Sequence, residues 1–389
     1  MNIPSEFDDI RPYKPEEISA AVDQLAQDPL FCEVMKKAMP GIPLEVLIAK
    51  AKQCRNLLEF QKTFDYSWLK SLLAEHSDGI DMQADELDRS TPYTFVSNHR
   101  DIVLDAAFLS EMMVDLGFDN TVEMCVGDNL MQLPWIRTLI RLNKGIVVKR
   151  GISMREQLLA SRELSSYLHF AIKQKKESIW IAQRQGRAKD SSDLTQESII
   201  KMFCMGGEGT LKERLSELNI VPLTISYEFD PCDFLKAREF QLKRDNPDYR
   251  KNREDDINSM STGIFGYKGR IHYQAATTLN HWLSNLPDDL PKGDFCNIVA
   301  ARLDHVIHSN YRLFANNYIA SDKLRQEERF KSLYTAEEKS RFEEYLVKQI
   351  HRIDLPHPDF EFLEKKILEM YANPLYNYLK AAEQKENDF

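Results

Sequence analysis

Between Thr91 and Thr278, six short apolar runs alternate with longer stretches whose apolar residues recur at helical spacing. The runs fall at 93–97, 121–126, 145–149, 178–182, 221–227 and 269–275, and the helical stretches at 103–116, 129–142, 153–175 and 209–218. Runs this short, rich in valine, isoleucine and aromatic residues, read as buried strands. Parallel strands need a helical crossover between them, so the alternation predicts an α/β fold: a mostly parallel sheet with helices packed on it.

Both flanks read as helical. Residues 15–75 carry helix signals: Asp28-Pro29 joins a capping residue to a first-turn proline, and Ile18, Val22 and Leu25 share one face. The polar stretch 75–90 reads as a linker. Past 280, Ala300, Leu303, Val306 and Ile307 form a stripe, and Thr335-Ala-Glu-Glu338 is a capping box. Three regions follow: a helical one over 1–90, an α/β domain over 91–280 and a helical one over 281–389.

The formal charge of −10 is unevenly spread. Residues 137–189 hold 13 lysines and arginines against three acids, a local +10 that leaves −20 elsewhere. Such a segment suits an anionic substrate, an acidic carrier or an anionic lipid surface. Nucleic acid is not expected, because the aromatics there are not spaced as a stacking platform and no recognition motif is present. The six cysteines form no C-x-x-C pair, and the chain opens on no signal-peptide pattern. Reduced thiols and a cytoplasmic location, peripheral on the inner face of a membrane, are the expectation. No window approaches 18 uncharged apolar residues. Leu130–Leu142, with Trp135 among aliphatics and two arginines, has the composition of a helix lying in a lipid interface, and equally of one packed on a core.

Four polar clusters sit where strands should end. Asn98-His99-Arg100 follows the first run, and a histidine there can take a proton from a hydroxyl near neutral pH if a carboxylate fixes its tautomer. Asp101 and Asp105 are both local candidates for that carboxylate. Gly145–Arg150 is a strand with a basic exit. Gln183-Arg-Gln-Gly-Arg187 follows another strand, where Gly186 lets backbone amides approach an anion and Arg187 offers a bidentate fork. Val221-Pro222 opens a fourth. His305 and His308 stand three apart with no third ligand near in sequence, so no metal is expected and an exposed helical face is their expected setting.

In order and spacing these clusters, with Gly266–Tyr273 as a late strand, resemble the glycerol-phosphate and lysophospholipid acyltransferase family over about residues 91–280. That family carries Asn-His-x4-Asp, Gly-x-Ile-x-x-x-Arg, Glu-Gly-x-Arg and Val-Pro blocks. The resemblance implies that His99 and Asp105 are catalytic and that Asn98, Arg100, Arg150, Gln185, Gly186 and Arg187 bind substrate. It implies transfer of an acyl chain from acyl-CoA or acyl carrier protein, as co-substrate and without a further cofactor, to a glycerol-phosphate or lysophospholipid hydroxyl. Two positions depart from the pattern. Asp105 lies one residue beyond the family's spacing, which requires a longer loop with the helix starting near Val103. Gln185 replaces the glutamate of the third block. These departures motivate two alternatives: transfer to a non-phosphate lipid, or a catalytically silent lipid- or carrier-binding chain.

Overall fold

In the computed structural model, which describes residues 3–39 and 41–384, seven strands form one sheet. They are β1 (Ile80–Gln83), β2 (Thr94–Ser97), β3 (Val122–Gly127), β4 (Gly145–Val148), β5 (Ser178–Ala182), β6 (Ile220–Tyr227) and β7 (Ile271–Ala275), in the order β1-β7-β6-β2-β5-β3-β4. The neighbours from β6 to β4 all pair parallel, while β7 runs antiparallel to β6 and parallel to β1. All four residues of central β2 are buried, as a strand covered on both faces must be.

β1 corrects the reading of 75–90 as a linker. Only Ile80 and Met82 turn inward on it, alternating with exposed Asp81 and Gln83. A four-residue edge strand with two apolar positions is defined by its pairing with β7, which its composition does not reveal.

The N-terminal helices are α1 (Ile18–Gln27), α2 (Pro29–Ala38), α3 (Leu44–Lys52) and α4 (Leu57–His76). Asp28 caps α2 by accepting from the amides of Leu30 and Phe31 at 2.9 and 3.0 Å. Then come α5 (Leu104–Asp115), α6 (Pro134–Leu142), α7 (Met154–Phe170), α8 (Glu197–Phe203), α9 (Leu211–Glu217), α10 (Asp233–Asp245) and α11 (Arg253–Phe265). The last group is α12 (Asn280–Ser284), α13 (Lys292–Ser309), α14 (Ala315–Arg325), α15 (Ala336–His351) and α16 (Phe360–Glu383). Sequence patterning missed α8, α10 and α11. α10 is strongly polar, burying Phe234 and Ala237 against the C-terminal helices.

One face of the sheet is covered by α7, α8, α9 and α13, through Leu168, Phe203, Leu215 and Val299 among others. The other is covered by α4 and α5, through Leu72 and Phe108. A third cluster joins α10 to α14, α15 and α16, and a fourth holds α1–α4 around Leu142. Trp135 of α6 lies against Phe31, ring centroids 6.0 Å apart, and Leu139 packs in the same cluster. The apolar side of α6 thereby faces the N-terminal helices, where Trp135, Leu139 and Ile140 also line a cavity. No helix among the described residues is long and apolar enough to cross a membrane.

Candidate active site

The parallel strands β2–β6 end at one edge, and His99 stands there two residues after β2. Its neighbour Asn98 is fully buried, and its side-chain amide is used at both ends. It donates to the Ile225 carbonyl at 2.9 Å and accepts from the Ile225 amide at 2.8 Å. Asn98 therefore ties β2 to β6 and presents nothing to a substrate, contrary to the binding role implied for it. Below His99, the Trp180 ring meets the imidazole edge-on at 5.4 Å while its indole N–H donates to Ser97 at 3.0 Å. The histidine thus rests on a rigid aromatic shelf.

Helix α5 begins at Leu104 with Val103 at its N-cap, which places Asp105 in its first turn. Asp105 is fully buried, and its Oδ2 lies 2.7 Å from His99 Nδ1. The same oxygen accepts from the backbone amides of Arg100 at 2.7 Å and Asp101 at 3.1 Å. Asp101 does something else: its Oδ1 accepts from the amides of Val103 and Leu104 at 2.9 and 2.8 Å, capping the helix. The four-residue turn Arg100–Val103, closed by that cap, absorbs the additional residue between His99 and Asp105. Imidazole Nε2 has no partner among the described residues.

Arg100 does not reach into an open site. Its guanidinium is buried in an ion pair with Asp193 and lies 3.3 Å from the Tyr311 hydroxyl, which itself donates to Asp193 at 2.6 Å. Asp193 sits at φ +46°, a left-handed conformation that costs energy for a residue with a Cβ, and its carbonyl is hydrogen-bonded by His308 at 2.9 Å. His308 is therefore buried, not on the exposed face expected for it, and its ring stacks on Tyr311. Motif reading missed Asp193, which lies in a loop six residues past the Gln183–Arg187 block, and Tyr311, which is far from every block.

Gly186 adopts φ +69° in an exposed turn with Gln185, whose backbone amide is held by Gln196 at 2.8 Å. The Gln185 side chain is exposed and does not orient Arg187. Arg187 is half-buried, with one guanidinium nitrogen (Nη1) buried and unpartnered. Burial opposes its charge, but Cys232, Asp101 and Asp230 outweigh that and raise its pKa. Arg150 has different neighbours, Asp128 and Cys125, and burial lowers its pKa. Arg150 and Arg187 share none of these charged or thiol neighbours. Burial also brings Lys268 down to about 8, its ammonium donating to the carbonyls of Ile264 and Gly266 at 2.9 and 2.6 Å.

A cavity of about 340 Å³ opens between the N-terminal helices and α5, α6 and α11. Phe31, Leu47, Phe60, Ala107 and Ile264 line it, and it reaches Val103 in the turn between His99 and Asp105. Such a wall suits an alkyl chain.

Strands β1 to β5 and the His99–Asp105 pair fall within residues 80–206, which match the family model described as Acyltransferase. The match covers 127 of the 389 residues. Among solved structures it is similar to the 1-acyl-sn-glycerophosphate (LPA) acyltransferase PlsC from Thermotoga maritima, at 12% identity over 75% of this chain and 95% of that one, with a TM-score of 0.35. No curated protein matches it.

Proposed function

We propose that this chain moves an acyl group from the thioester of coenzyme A or acyl carrier protein to a hydroxyl of a glycerol-phosphate or lysophospholipid acceptor. The carrying observation is the 2.7 Å contact between His99 Nδ1 and the buried Asp105 carboxylate, which leaves Nε2 to face a hydroxyl. In this reading Nε2 takes the acceptor's proton as its oxygen attacks the thioester carbonyl. The tetrahedral adduct then expels the thiolate, which receives that proton, giving an ester and a free thiol. Asp105 holds the tautomer and stabilises the imidazolium. The fatty chain lies in the apolar cavity that reaches Val103, and the half-buried guanidinium of Arg187 meets the acceptor phosphate. Arg150 lies at the end of β4, apart from Arg187, and is assigned to the carrier phosphates.

A second reading, an uncharged lipid hydroxyl as acceptor, is favoured by the carboxylates of Asp101 and Asp230 that already compensate Arg187. An acylation assay with acyl-CoA and acyl carrier protein donors, crossed with glycerol-3-phosphate, lysophosphatidate and a neutral hydroxylated lipid, tests both. His99→Ala is expected to fold normally and lose at least about 10²-fold in rate. Equal rates for variant and wild type on every acceptor would refute the mechanism.

A further inference from the structure

Helix α7 leaves the same edge of the sheet that carries His99; its first turn projects, while Leu159 and Arg162 also line a groove with Glu6, Phe7, Glu156 and Glu163. Residues 153–159 are all exposed, whereas Leu164 and Leu168 further along pack into the core. Three of the projecting side chains are large and apolar: Met154 is 90% exposed, Leu158 54% and Leu159 58%. At 100° per residue these three share one face with Arg155 and Arg162, both exposed and without an ion pair among the described residues. Apolar side chains this exposed on one helix face mark a contact surface.

The interleaving decides its chemistry. Guanidinium groups set between Met154, Leu158 and Leu159 need a partner that is apolar and anionic within a single footprint. The boundary between acyl chains and acidic headgroups meets that need, with arginines reaching back to phosphates while leucine and methionine enter the apolar layer. From these observations we propose that the N-terminal half of α7 docks this protein on an anionic bilayer. This placement differs from α6, whose apolar side faces the N-terminal helices. It also stands apart from the acyl-transfer reading, because it rests on surface side chains alone.

The test is flotation of the full chain with vesicles of phosphatidylcholine, with and without 30 mol% phosphatidylglycerol. Wild type is expected to float with the anionic vesicles only, and less in high salt. Replacing Met154, Leu158 and Leu159 together by serine should cut partition at least tenfold. Arg155→Glu and Arg162→Glu should each cut it about fivefold or more. Unchanged thermal unfolding of each variant guards against misfolding. Equal flotation of variants and wild type, or no binding of wild type to anionic vesicles, overturns the proposal. So does capture of acyl carrier protein by this face without vesicles, or a dimer in solution that the triple variant dissolves.

Discussion

Replacing Asp105 by asparagine separates the two carboxylates that compete for the role beside His99. The amide oxygen of asparagine can still accept from the amides of Arg100 and Asp101 and from a neutral imidazole, so the packing of this fully buried side chain survives. What disappears is the negative charge 2.7 Å from Nδ1 when the imidazolium forms. A hydrogen bond between charged partners contributes about 1.5–3 kcal/mol net, and each ~1.4 kcal/mol is tenfold in rate. A loss of about 10²-fold in turnover is expected, read by thiol release from a saturating acyl thioester at pH 7.5. Asp101→Asn keeps a cap-accepting oxygen for Val103 and Leu104 and should stay within about tenfold of wild type. An Asp105→Asn enzyme within threefold of wild type, folded by its unfolding curve, would refute the assignment. Exchanged behaviour of the two variants would hand the role to Asp101.

Tyr311→Phe removes the hydroxyl that bridges Asp193 and Arg100, and should cost about 1–1.5 kcal/mol in urea unfolding with at most a tenfold fall in rate. A fall beyond 10³-fold would mean that Tyr311 touches substrate. Gln185→Glu should change the rate on phosphate acceptors less than about threefold, because the side chain is exposed and unconnected to Arg187; a tenfold change in acceptor KM would contradict this. Burial raises the carboxyl of Asp65, beside the apolar cavity, to about 7. With the folded pKa above the unfolded value, its contribution is fully present in acid and lost as pH rises from about 4 through 7. Asp65→Asn should therefore stabilise the fold more at pH 8 than at pH 5, by roughly 2 kcal/mol; equal gains at both pH values in thermal unfolding would show the carboxyl is not buried in effect.

Local signals carried much of this protein into view. Short apolar runs located β2 to β7 within a residue or two, since a strand covered on both faces is mostly apolar whatever surrounds it. Asp28 and Thr335 announced helix starts because a cap is satisfied within three residues of chain. The block order brought out His99, Asp105 and Arg187, of which His99 and Arg187 follow strands and Asp105 opens the next helix.

Other features depended on partners far away in sequence. β1 exists through its pairing with β7, some 190 residues on. Asn98 resembles a binding residue until Ile225, 127 positions away, takes both ends of its amide. Arg100 resembles a substrate grip until Asp193 and Tyr311 arrive from a loop and from the C-terminal region. Trp135 resembles a lipid anchor until Phe31 of α2 packs beside it. A polar or aromatic side chain can satisfy a ligand or its own protein equally well, and composition is the same in both cases. Only the tertiary structure, by bringing or withholding a partner, decides which groups remain free to act.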